Sequence, residues 1–171
     1  MKGKGLLRKF STLVLFFFML SVVGVVAPTS TLAGDGGGDQ IPTLLATYLT
    51  QVSGDTSTDV HQVTETKKVV PIKPTFRLNF SNNVTDETIW ADNQGCVSIE
   101  DSNSSALPVD VTRIGTGLGT DPYKSDIFVT PTNDLISGYT YTIVIDAALT
   151  AKNGQVLTQA VEVPFTAGVA V

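Results

Sequence analysis

The stretch that decides the fold is Asp134-Leu135-Ile136-Ser137-Gly138-Tyr139-Thr140-Tyr141-Thr142-Ile143-Val144-Ile145. It turns at Ser137-Gly138 and then alternates. Tyr139, Tyr141, Ile143 and Ile145 point one way; Thr140, Thr142 and Val144 point the other, because residues two apart share a strand face. Aromatic and β-branched side chains suit a pleated, half-buried surface. One face is apolar with two phenols, the other mostly hydroxyl. That is a strand of a two-layer sandwich.

Working outward, the same signal recurs. Upstream, Ile127 to Thr130 reads as a strand stopped by Pro131 and Asn133-Asp134. Gly115 to Ser125, with its glycines and Pro122, reads as a long loop. Val109 and Val111 share a face with Arg113, and Val97 and Ile99 open another strand, closed by Asp101-Ser102-Asn103-Ser104-Ser105. Phe76, Leu78 and Phe80 alternate with Thr75, Arg77 and Asn79. Val70-Pro71-Ile72-Lys73-Pro74 is extended, since proline pushes its predecessor out of the helical region. Ser81 to Asp92 connects, with room for a short helical turn. Downstream, Asn153-Gly154 marks a tight turn, and Val161, Val163 and Phe165 finish the pattern. About seven short strands with turn signals between them, and no long 3.6-residue period, indicate an all-β sandwich of one domain.

The chain of 171 residues holds more than this domain. Lys2, Lys4, Arg8 and Lys9 precede an apolar run from Leu13 to Ala27, and Thr31-Leu32-Ala33 offers small residues for cleavage; this is the pattern of a secretory signal peptide over residues 1–33. The alternative is an uncleaved anchor, and only such a segment would bring the chain to a membrane. The run is short of the roughly 20 residues that span a bilayer. Gly34 to Asp39 reads as a flexible tether. Residues 34–66 are expected to be that tether with a first strand the pattern does not fix. Leu44 to Val52 suits a strand or a short helix, with Tyr, Thr and Val favouring strand. Ser53 to Thr66 is polar, with strand character at most from Val60 to Val63. The domain proper is expected over 67–168.

Without residues 1–33 the charge becomes 7 − 16 = −9, from 11 − 4 basic and 16 acidic side chains. Such a surface repels nucleic acid and anionic lipid. Cys96 is the sole cysteine, so no internal disulfide forms, and a buried inert thiol is expected.

Three anchors resemble the bacterial Ig-like domains of the S-layer-associated type, the Big_5 or SbsA Ig-like family. The first is Val70-Pro71-Ile72-Lys73-Pro74-Thr75-Phe76-Arg77-Leu78-Asn79-Phe80-Ser81-Asn82-Asn83-Val84. The second is Leu135-Ile136-Ser137-Gly138-Tyr139-Thr140-Tyr141-Thr142-Ile143. The third is Ala151-Lys152-Asn153-Gly154-Gln155-Val156-Leu157 with the strand that ends at Phe165-Thr166. The resemblance covers roughly residues 65–167. It implies an immunoglobulin-like sandwich of about seven antiparallel strands, secreted or surface-displayed, with a structural or adhesive role in a cell envelope and no catalysis. It implies an envelope protein or polysaccharide as partner. It also gives Tyr141 a role: its hydroxyl would bond back to the preceding connection, a tyrosine corner.

No constellation of reactive groups emerges. His61 is the only histidine, and no nucleophile motif accompanies it. One His and one Cys cannot hold zinc. The carboxylate pairs Asp86-Glu87, Glu100-Asp101 and Asp121 with Asp126 give no facing pair across a cleft. No catalytic or cofactor-binding residue is therefore assigned, and the chain is read as no enzyme. No cofactor is expected, and the metal question is left open. Calcium is the one metal alternative, through the oxygen-rich loops at Asp121, Asp126, Asp86, Asp92 and Asp101. Trp90 is read as a plug at one end of the sandwich, with an exposed sugar-stacking ring as the rival. The alternative function is thus a glycan- or calcium-binding module.

Overall fold

The computed structural model describes residues 38–168. The expected signal peptide lies outside the described residues. Among the described residues, nine strands run in the order β1 Leu44–Ser53, β2 Thr56–Gln62, β3 Val69–Val70, β4 Thr75–Phe80, β5 Val97–Glu100, β6 Val109–Thr112, β7 Asp126–Pro131, β8 Thr140–Ile145 and β9 Val161–Ala167. A four-residue helix, α1 Trp90–Asn93, and a 3-10 turn at Gln94–Cys96 lead into β5.

The strands form two sheets, one ordered β2-β1-β4-β7-β6 and the other β3-β9-β8-β5. All pairs are antiparallel except β3 with β9. The order β1-β4-β7-β6 facing β5-β8-β9 is that of an immunoglobulin-type sandwich, four strands against three. Nine strands rather than about seven arise because β2 and the two-residue β3 are additions to that frame.

The deciding stretch behaves as its alternation requires, with one correction. Tyr141, Ile143 and Ile145 are buried, and Thr140, Thr142 and Val144 are not. Tyr139 lies before the strand and is 57% exposed, so it does not share the inner face. Facing β8 across the interior, Phe76, Leu78 and Phe80 of β4 are likewise buried. Phe165 of β9 joins the two layers. Its ring lies 4.7 Å from that of Phe76 and 5.8 Å from that of Tyr141. Removing a ring so placed costs about 3–5 kcal/mol by transfer and cavity terms.

Residues 44–62, within the stretch expected to be a tether with an unfixed first strand, form the β1–β2 hairpin. β2 is an edge strand with no fully buried residue, so it lacks the alternation by which strands are recognised. Bulges interrupt both partners of β1, at Leu49/Thr50 toward β2 and between Leu44 and Ala46 toward β4. Bulges and polar side chains blunt an edge against stray pairing.

Pro164 sits inside β9 without breaking it. The N–H groups of Thr166 and Gly168 donate to Lys68 and Val70, on the β3 side. Nitrogens alternate along a strand, so position 164 faces the same side, beyond the end of β3. The missing N–H is therefore at an open edge, where proline is tolerated.

Three connections, 81–96, 113–125 and 146–160, gather at the end of the sandwich where β1, β5, β7 and β9 begin. The β7–β8 turn and Gly168 lie at the opposite end, joined through the hydrogen bond from Gly138 N to Ala167 O at 2.7 Å.

Candidate functional site

Polar side chains concentrate at two places: the loop end just described and the outer face of the five-stranded sheet.

At the loop end, Asn93 is fully buried. Its Nδ2 donates to Val84 O and Thr150 O, each at 2.7 Å, and its Oδ1 accepts from Thr150 N at 2.9 Å. One side chain thus ties together three segments. Asn83 works similarly: its Oδ1 accepts from the N–H of Thr85 and Asp86, and its Nδ2 donates to Gly117 O. Asp86 is 3% exposed. Its carboxylate accepts from the hydroxyl of Thr88 at 2.7 Å and the amide of Thr88 at 3.1 Å, and pairs with Lys152 at 3.1 Å. The Thr88 hydroxyl, against the opposing effect of burial, and then the Thr88 amide and Lys152, hold this carboxyl below its ordinary value. Gly117 passes so near Thr85 O that an added Cβ would sit 2.4 Å from it, and its φ of +70° suits only glycine.

Trp90 is half-buried and packs against the core. The guanidinium of Arg113 lies over its ring, 5.2 Å from the centroid, while Arg113 also donates to Thr85 O. One ring face is therefore occupied by a cation. Arg113 follows β6 and bridges connections, so it does not continue the strand face of Val109 and Val111.

On the outer sheet face, Arg77 of β4 stacks over Tyr48 of β1 at 4.5 Å. It pairs with Asp59 of β2 and, at 3.0 Å, with Asp126 of β7. Asn79 also donates to Asp126 at 2.8 Å. Burial pushes the Asp126 carboxyl above its ordinary value, against the opposing pull of Asn79 and Arg77. Burial by itself lowers the Arg77 pKa, but the hydrogen bond to Asp59 and the two carboxylates raise it overall. Phe128, directly opposite Arg77, faces outward with it and is nonetheless 1% exposed. The 113–125 connection explains this. Its Tyr123 meets Phe128 edge-on at 6.1 Å and accepts the N–H of Ser57 at 3.0 Å.

The residues weighed for chemistry are spread over these structures and do not converge. His61 lies on β2 opposite Leu49. Asp121 accepts the amides of Gly117 and Tyr123 within its own loop, whereas Asp126 is engaged by Arg77 and Asn79. Asp86 is buried beside an exposed Glu87, and Glu100 and Asp101 divide between a strand and a turn. Among the described residues no three His, Cys, Asp or Glu side chains group as a metal site. Cys96 is half-buried; burial first, then Asp146 and Asp92, push its thiol up, so the reactive thiolate is disfavoured at neutral pH. A shallow groove of about 320 Å³ runs between β1, Val60 and the Pro71–Pro74 turn, with Lys73 as its one ionisable side chain.

The tyrosine corner is present. Tyr141 is 5% exposed and its hydroxyl accepts the N–H of Ile136, five residues back, at 3.0 Å. Sequence reasoning did not single out Asn93, Asn83, Arg77 or Tyr123. An Asn between short elements carries no spacing signal, and Arg77 looks like any outward residue of a strand.

No curated protein matches the chain. A family model described as a bacterial Ig-like domain, Big_5, matches residues 50–167. That span begins midway along β1 and ends with β9, so it takes in both sheets. With its strand order and tyrosine corner, the chain belongs to the bacterial Ig-like domain family.

Proposed function

We propose that the chain is a secreted or cell-surface Ig-like module, non-catalytic, with a structural or adhesive role in a bacterial envelope. The observation that carries this reading is how the polar side chains are used. Asn83, Asp86, Asn93 and Arg113 bind the backbone or side chains of neighbouring connections, and Arg77 and Asn79 both donate to Asp126. These groups stiffen a scaffold whose interior is filled with hydrocarbon. Family membership supports the same role. Partners of such a module meet its loops and strand edges. An envelope protein or polysaccharide is the expected class.

The test is fractionation and surface protease treatment of the producing bacterium, followed by binding of the fragment 34–171 to isolated envelopes. Recovery on the outside, with saturable binding that survives Asp121→Asn and Asp126→Asn, supports the proposal. Retention inside the cell would overturn it. Calcium or glycan titration with a saturable heat signal would replace it with a ligand-binding role.

A further inference from the structure

We infer that Asn153-Gly154 is a site of spontaneous covalent modification, and that its conversion releases the segment leading into the sandwich. Two independent observations meet at this turn. The first concerns reactivity. Gly154 has φ +81° and nothing within 4 Å of where a Cβ would sit. It is exposed, and its N–H donates to Ala151 O at 2.8 Å, a bond at the surface that must open before the nitrogen can attack. The Asn153 Oδ1 accepts the N–H of Gln155 at 3.1 Å, which folds the side chain back along its own backbone and polarises its carbonyl. Asparagine is among the thermally labile residues, and Asn153 is the only one followed by glycine.

The second concerns consequence. Asn153 Nδ2 donates to Gly38 O at 2.6 Å and Gln40 O at 2.9 Å. Asn82 adds a longer bond to Gln40 O at 3.2 Å. Asn153 thus supplies the two shorter of these three side-chain bonds to residues 38–40. The turn itself is held independently, through Lys152 N to Asn83 O and Ala151 N to Gln155 O, each at 2.8 Å.

In the reaction, the Gly154 nitrogen loses its proton to solvent base and bonds to Asn153 Cγ. The side-chain nitrogen leaves as ammonia, closing a five-membered imide. Water then opens either carbonyl, leaving an aspartyl or isoaspartyl linkage at position 153. No oxidant or other partner is needed. The product carboxylate has no donor for the Gly38 and Gln40 carbonyls and places negative charge beside their oxygens. Both bonds are lost, and residues 38–40 come away from the turn.

The experiment ages the full chain in warm, mildly alkaline buffer. Peptide mapping follows the mass change of NH exchanged for O, and limited digestion with a broad-specificity protease follows cleavage within residues 38–43. Conversion should occur at Asn153 ahead of the exposed Asn103 and Asn133. The aged protein and Asn153→Asp should both be cleaved faster within 38–43 while β8 and β9 stay intact, and Asn153→Gln should not convert. Earlier conversion at Asn103 or Asn133, or an unchanged cleavage rate within 38–43 in Asn153→Asp, would overturn the inference.

Discussion

Replacing Asn93 by leucine should remove a large part of the domain's stability. The side chains share a branched four-atom skeleton, but leucine is the bulkier, so overpacking adds to the loss of both the donor and the acceptor. Val84 O, Thr150 O and Thr150 N are left without their partner in a place where Asn93 is 0% exposed. An orphaned buried group costs about 1–3 kcal/mol. Allowing one of the three to find a substitute, the loss is about 2–6 kcal/mol. A domain of this size has roughly 5–15 kcal/mol in total. Urea unfolding is the assay. Trp90 is the sole tryptophan and begins the helix that contains Asn93, so its fluorescence reports this end directly. With a slope of about 2 kcal/mol/M, the midpoint should fall by roughly 1–3 M. Asn93→Ala should be milder, because the space it leaves admits water to the orphaned groups. A leucine variant within about 1 kcal/mol of the parent, or an alanine variant less stable than the leucine one, would refute the reasoning that water-excluded orphan groups dominate the cost.

Tyr141→Phe removes the bond from Ile136 N without changing the ring; a loss of about 1–2 kcal/mol is expected in thermal or urea melts. Arg77→Met leaves Asp126 buried without its cation and should cost about 3–5 kcal/mol by urea titration, since breaking a buried pair leaves one charge uncompensated. The two buried carboxyls should shape the pH–stability curve with opposite signs. Asp86 is held below the ordinary 3.8, so its contribution is present above that value and lost as pH falls through the lower folded one. Asp126 is raised above 3.8, so its contribution is present below that value and lost as pH rises through the higher folded one. Melting temperatures against pH should show Asp86→Asn flattening the acid limb; an unchanged limb would remove Asp86 from the account.

Some of this protein could be read residue by residue. Phe76, Leu78 and Phe80, and Tyr141, Ile143 and Ile145, announce inner faces because strand geometry places every second side chain together. The tyrosine corner was implied by the resemblance that Leu135 to Ile143 carries, and the hydroxyl of Tyr141 does accept the N–H of Ile136. These are local properties, set by neighbours within a few residues. Tyr139 was misplaced because alternation does not say where a turn ends and a strand begins.

Other features depend on segments far apart in the chain. Leu44 to Val52 favoured a strand, but β2 was legible only around Val60, because an edge strand with no buried residue needs no apolar face. Phe128 is buried on an outward face only because Tyr123 and the 113–125 connection return across it. Arg77 becomes the centre of a network only when Asp59 and Asp126 arrive from strands on either side. Asn93 and Asn153 look like ordinary loop residues until the carbonyls of Val84, Thr150, Gly38 and Gln40 are brought to them. Hydrophobic alternation by itself determined the sandwich, because burial repeats with the period of the strand. Tertiary structure decided the partners of the polar side chains, because a hydrogen bond depends on where two distant segments meet and leaves no period in either.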